Sequence, residues 1–158
     1  MKALPLYRII SLIINLFCFF IGISLVTSFV MIFSNPALAF SFFILAGVVL
    51  YAWFAHKFLH TVIIKQQPFT KSQKDWLQVN AIVAFVFSIM AIFNAVYLIS
   101  NPHVLDDMLK QLPVTAPANL MKNISIGLLF FALLLLVHII WTFILIRKHK
   151  DYIEPLDS

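Results

Sequence analysis

The chain has 158 residues, of which 63% are hydrophobic and only 11% charged, against roughly 45–50% and about 25% in soluble proteins. A soluble domain of this size has too little interior to hide that much apolar surface, which excludes a soluble enzyme, a disordered tail and a nucleic-acid-binding domain. The net charge of +5 does not change this, because Lys and Arg stand at the ends of long apolar runs rather than along one exposed face.

The composition predicts an all-α integral membrane protein, a single membrane domain over residues 1–158 with four transmembrane helices in an up-down bundle. Between Arg8 and Lys57 there is no Asp, Glu, Lys or Arg, a stretch too long for one span of about 20 residues. Ser34-Asn35-Pro36 breaks it, since Asn caps helices well and Pro at the first helical position lacks only an N–H that would be unpaired there. The first two spans are therefore read as residues 9–33 and 37–64. Ala37-Leu38-Ala39 has the form of a signal-peptidase site, but the apolar run before it exceeds the 7–15 residues of a signal sequence, so cleavage is not expected.

Residues 65–76 (KQQPFTKSQKDW) read as a polar connection, with Pro68 stopping a helix and Thr70 and Gln73 at capping-box spacing for the next one. The third span is 77–99 and the fourth 123–146, both free of charged residues. Residues 100–122 form the other sizeable loop. There a short amphipathic helix is expected between Pro102 and Pro113, with Val104, Leu105, Met108, Leu109 and Leu112 on one face and Asp106, Asp107, Lys110 and Gln111 on the other. Nine basic residues (Lys2, Arg8, Lys57, Lys65, Lys71, Lys74, Arg147, Lys148, Lys150) fall on one side and two (Lys110, Lys122) on the other. That imbalance predicts that both termini and the 65–76 loop are cytoplasmic and that the 100–122 loop is external.

Helices associate in lipid by close packing, so small residues should line their contacts. Ser11, Asn15, Cys18 and Gly22 form such a stripe in the first span, and Ala81, Ala84, Ser88, Ala91 and Ala95 in the third. The fourth span is rich in Leu, Ile and Phe, and is expected to face lipid. A constant offset of 66 residues maps the first stripe onto Leu77, Ala81, Ala84 and Ser88, and Ser34-Asn35-Pro36 onto Ser100-Asn101-Pro102. This points to a duplicated helical hairpin, a 2+2 arrangement.

The spans contain no acidic residue, which argues against a proton-coupled exporter, and no nucleophile, base and orienting group converge as a hydrolase requires. The histidines are the remaining candidates. His56 and His60 stand one turn apart on the second span, and His138 lies in the fourth. His56 and His138 each precede a basic residue, Lys65 or Arg147, by nine positions. At equal depth on parallel helices they could ligate a b-type haem, or with His60 a metal ion. The simpler expectation is that His56 and His60 lie among lipid headgroups, while His138 hydrogen-bonds to Asn15, Ser88 or a backbone carbonyl. Asn15, Asn80 and Asn94 are expected to join helices to one another.

The four-span layout, with Pro68-Phe69-Thr70 between the second and third spans, resembles small bacterial inner-membrane proteins that have both termini inside. That resemblance implies a bacterial plasma membrane and carries no activity with it. The leading functional expectation is a non-enzymatic accessory or assembly protein that associates with itself or with another membrane protein through its small-residue faces. A bis-histidine haem or metal protein for electron transfer is the alternative, and a small-molecule channel or transporter a further one.

Overall fold

A computed structural model of the protein describes residues 4–35, 37–104, 107 and 118–153. Among these, four long helices dominate: α1 (Leu4–Ser34), α2 (Ala37–Phe58), α3 (Lys71–Ser100) and α4 (Ala118–Lys148). A π-helical segment, Leu59–Ile64, extends α2, and a short 3-10 turn, Lys150–Tyr152, follows α4. α1, α3, α4 and α2 together with its π-helical extension each contain a stretch of 27 to 30 residues apolar enough to cross a membrane. At 1.5 Å per residue these reach about 40–45 Å, so they outrun a hydrocarbon core of about 30 Å. The amphipathic segment expected between Pro102 and Pro113 lies almost wholly outside the described residues.

Local sequence sets the helix ends. α1 stops at Ser34 and α2 starts at Ala37, the break expected from Asn35-Pro36, and Leu38 donates its N–H to the Asn35 carbonyl at 3.0 Å. The α2 extension ends when Lys65 N–H bonds the His60 carbonyl (3.1 Å) and Gln67 N–H the Thr61 carbonyl (2.9 Å). The reversal puts Gln66 at φ 53°, a left-handed conformation that a residue with a Cβ adopts at some cost. Pro68 follows, and Thr70 caps α3 by accepting the Gln73 N–H at 3.3 Å. The capping expectation holds, but α3 begins at Lys71, so the connection is shorter than the expected 65–76.

α1 packs on α2, α2 on α3 and α3 on α4, with a smaller contact between α1 and α4. The α3 stripe is what brings its neighbours close: Ala81, Ala84, Ser88, Ala91 and Ala95 are all buried. On α1, Ser11 and Cys18 are buried, and Asn15 and Gly22 half-buried. At Gly47 a Cβ would stand 2.6 Å from Cγ1 of Val83, so α2 and α3 touch there at backbone distance.

The expected lipid-facing role of the fourth helix is overturned. In its most apolar stretch 44% of the residues are buried, against 22–28% in the other three helices. Ala132, Leu135, Ile139 and Thr142 recur every three to four positions and form an inward face. Richness in Leu and Ile did not distinguish this face from lipid contact, because both environments are equally apolar.

At the end of the bundle that holds the α2–α3 connection, Phe69 is fully buried and meets Phe58 edge-on at 5.5 Å. Its N–H donates to the Tyr152 carbonyl at 2.7 Å, and it pairs with Ile153 in an isolated bridge. Pro68-Phe69-Thr70 thus works as stop, plug and cap in succession, and it ties the connection to the segment after α4.

Candidate functional site: a buried tyrosine–threonine–histidine cluster

The polar centre of the bundle is formed by Tyr7 of α1, Tyr51 of α2, and His138 and Thr142 of α4, each no more than 1% exposed. One turn separates His138 from Thr142, so both side chains leave α4 on the same face. The Tyr51 hydroxyl stands 2.7 Å from His138 Nδ1 and 3.1 Å from Thr142 Oγ1. The Tyr7 hydroxyl stands 2.9 Å from the same Thr142 oxygen. Thr142 in turn donates to the His138 carbonyl at 2.8 Å. The Tyr7 ring lies flat on the His138 imidazole, with centroids 4.7 Å apart and planes 7° from parallel, and Trp141 meets Tyr7 edge-on at 5.7 Å.

Each hydroxyl owns one proton, so donors can be counted. Thr142 gives its proton to the His138 carbonyl, and both tyrosines then donate to Thr142 Oγ1. The oxygen of Tyr51 is left to accept from His138 Nδ1–H. All four contacts are made and every proton is used. Reversing the Tyr51–His138 bond would send the Thr142 proton to Tyr51, lose one contact, and leave an Nε2–H with nothing to donate to. An unsatisfied buried N–H is costlier than an unsatisfied acceptor. The network therefore selects the Nδ1–H tautomer, with the lone pair of Nε2 bare. His138 Nε2 and Ser11 Oγ are the buried side-chain polar atoms without a hydrogen-bond partner among the described residues.

The sequence-derived histidines separate into two places. His56 and His60 do come together, with ring centroids 4.5 Å apart, on the exposed side of α2 and its π-helical extension. His138 is not with them. Tyr51, five residues before His56, is the α2 side chain that meets His138. Five residues turn a helix through about 140° beyond one full turn, so His56 leaves α2 in a different direction. No group of three His, Cys, Asp or Glu side chains suited to a metal occurs among the described residues. His138 offers one enclosed nitrogen beneath the Tyr7 ring, which does not fit a haem or a metal ion shared with His56 and His60.

Two of the three asparagines expected to join helices, Asn15 and Asn80, also behave differently from that expectation. Asn15 donates to the Ser11 carbonyl at 2.7 Å and Asn80 to the Trp76 carbonyl at 2.7 Å, each within its own helix, as Ser88 does to Ala84 at 2.8 Å. None of these bonds joins two helices. Among the described residues the short side-chain hydrogen bonds between helices involve tyrosine hydroxyls instead, and Cys18 reaches α2 with its sulfur 3.9 Å from the Val48 carbonyl. The sequence did carry a signal for Tyr51, since an amphipathic ring well inside an apolar run needs a partner for its hydroxyl; Tyr7, next to Arg8 and ahead of the first apolar run, carried none.

No known protein family, curated protein or solved structure matches the chain.

Proposed function

We propose that the chain is a non-enzymatic integral membrane protein, an accessory or assembly subunit that works by packing against another membrane protein or a second copy of itself. The observation that carries this reading is where its polar and small residues are. Among the described residues the buried polar side chains other than Ser11 are bonded to one another or to their own helices, and the α3 stripe is turned inward. What remains for partners is the outer surface, such as the exposed α3 ridge that includes Ile82 and Phe93. Small-residue faces hold this subunit together, and outer ridges carry its associations.

We further propose that the four helices alternate in direction across a bacterial plasma membrane, with both termini cytoplasmic. Support comes from the Tyr7–Thr142 and Phe69–Tyr152 bonds, which draw the start of α1, the α2–α3 connection and the end of α4 toward one end. That end carries eight of the nine basic residues among the described ones, Lys122 being the exception. The repeated-hairpin reading is supported by matching burial at the 66-residue offset, Ser11 with Leu77 and Cys18 with Ala84.

Two measurements test these readings. In whole cells a cysteine introduced at Thr115 should react with an impermeant maleimide and one at Gln67 should react only after permeabilisation; the reverse would invert the topology. A photo-crosslinking residue at Ile82 or Phe93 in native membranes should yield a discrete protein adduct, and labelling of lipid alone at both positions would remove the assembly role.

A further inference from the structure

A groove of about 640 Å³ runs along the outer face of α1 and α2. Its body is apolar, built from Phe19, Ile23, Val26, Val49 and Trp53, with Gly22 keeping it open. Thr27 lies at one end, and Asn15 and His56 at the other. The twelve residues from Asn15 to Thr27 rise about 18 Å, close to the half-thickness of about 15 Å of a hydrocarbon core. The groove is as deep as one leaflet.

Its polar end continues into basic side chains. Arg8 is exposed and lies seven residues, two turns, before Asn15, so it extends the same face of α1. His60 extends the face of His56 by one turn, and the two rings are 4.5 Å apart. Exposed Lys57 lies beside them. Neither α1 nor α2 contains an Asp or Glu. The depth is that of headgroups: Phe54, two residues from His56, stacks at 6.3 Å on Trp76, a half-exposed tryptophan at the start of α3, and such rings settle at the membrane interface.

We infer that this groove binds one anionic phospholipid, with an acyl chain lying between α1 and α2 and the headgroup phosphate held at Arg8, His56 and His60. A second copy would place an uncharged helix in the groove and leave these donors without an anion. A zwitterionic lipid would fill the groove but add its own cation to a site that already holds Arg8 and Lys57. The inference rests on the membrane reading proposed above.

The full chain, purified in mild detergent, is mixed with lipids of matched chains, phosphatidylglycerol and phosphatidylcholine in equal amounts, and analysed by native mass spectrometry. One phosphatidylglycerol should be retained in preference to phosphatidylcholine by roughly tenfold, the scale set by one or two basic residues near an anionic headgroup. The Arg8→Gln/His56→Gln double variant should lose that preference. Gly22→Leu should lose both lipids by filling the groove; the first carbon of its side chain meets only Val49, at an ordinary 3.8 Å, and an unfolding midpoint like that of wild type checks that the helices stay packed. Equal retention of the two lipids, an unchanged preference in the double variant, a lipid-bound Gly22→Leu protein, or a dimer in place of the lipid-bound monomer would each overturn the inference. Failure of the membrane reading is separately visible, as release of the chain from cell membranes by alkaline carbonate without detergent.

Discussion

The two ends of the α1–α2 hairpin are packed very differently. Toward the end with the α2–α3 connection, Tyr7, Ile14, Val48, Tyr51 and Phe58 are buried and interlocked by the cluster around His138. Toward the other end Ser24, Ser28 and Ser41 border a crevice of about 320 Å³, and a second crevice of about 450 Å³ opens beside Ser41, Phe87 and Asn94. That second crevice is bordered by α2, α3 and α4, through Phe40, Phe87 and Leu128, whereas Ala95 and Ser125 stay buried between α3 and α4 toward the same end. Lipid provides no hydrophobic force between helices, so closeness depends on side-chain size and on hydrogen bonds. Where the alanines of α3 line the contact the backbones stay together. At the open end Leu25, Leu38 and Phe42 share the lining with the three serines, and there the helices separate.

The largest effect should come from removing the aromatic that joins α1 to α4. Tyr7→Ala deletes the ring stacked on His138 and packed on Trp141, along with one bond to Thr142. Truncating a fully buried aromatic costs about 3–5 kcal/mol. Unfolding in detergent with increasing sodium dodecyl sulfate, followed by tryptophan fluorescence, should show the midpoint collapse. A midpoint close to wild type would mean that the cluster does not hold this end closed.

Tyr51→Phe should cost less, about 1–3 kcal/mol, because it removes one hydroxyl and leaves the Nδ1–H of His138 without its acceptor. The same variant sharpens the assignment of protons. In the wild type, ¹⁵N spectra of labelled histidine should show a buried ring protonated at Nδ1 and bare at Nε2. Losing Tyr51 should release that tautomer lock, and a wild-type ring protonated at Nε2 would contradict the donor count.

The architecture was readable from the chain because its signals are local and strong. An uninterrupted apolar run split by Asn35-Pro36 leaves little choice of helix number, and the Thr70 cap followed from two residues three positions apart. The α3 stripe could also be seen, because five small residues recur on one face. The site could not be read in this way. Thr142 and Tyr7 are 135 positions apart and Tyr51 and His138 are 87 apart, so no spacing rule connects them. His56 and His138 matched in distance from their basic residues, but depth says nothing about direction around a helix, and it was Tyr51 that faced inward. Asn15 and Asn80 misled for a related reason: a carboxamide near its own helix satisfies itself on the carbonyl one turn back, so polarity alone does not announce a contact between helices.

The smallest effect is expected at the open end, where it tests the comparison most directly. Ser28→Ala alters a half-buried residue that borders the 320 Å³ crevice. There is room beside it, so losing the hydroxyl strands no enclosed partner, and alanine has the higher helix propensity. The unfolding midpoint should therefore stay within about 0.5 kcal/mol of wild type, the range of substitutions away from packed features. A loss as large as that of Tyr51→Phe would mean that the serines bind this end together as firmly as the tyrosines bind the other. The hairpin would then be held at both ends, and the crevice would be a narrow joint between helices rather than a separation of them.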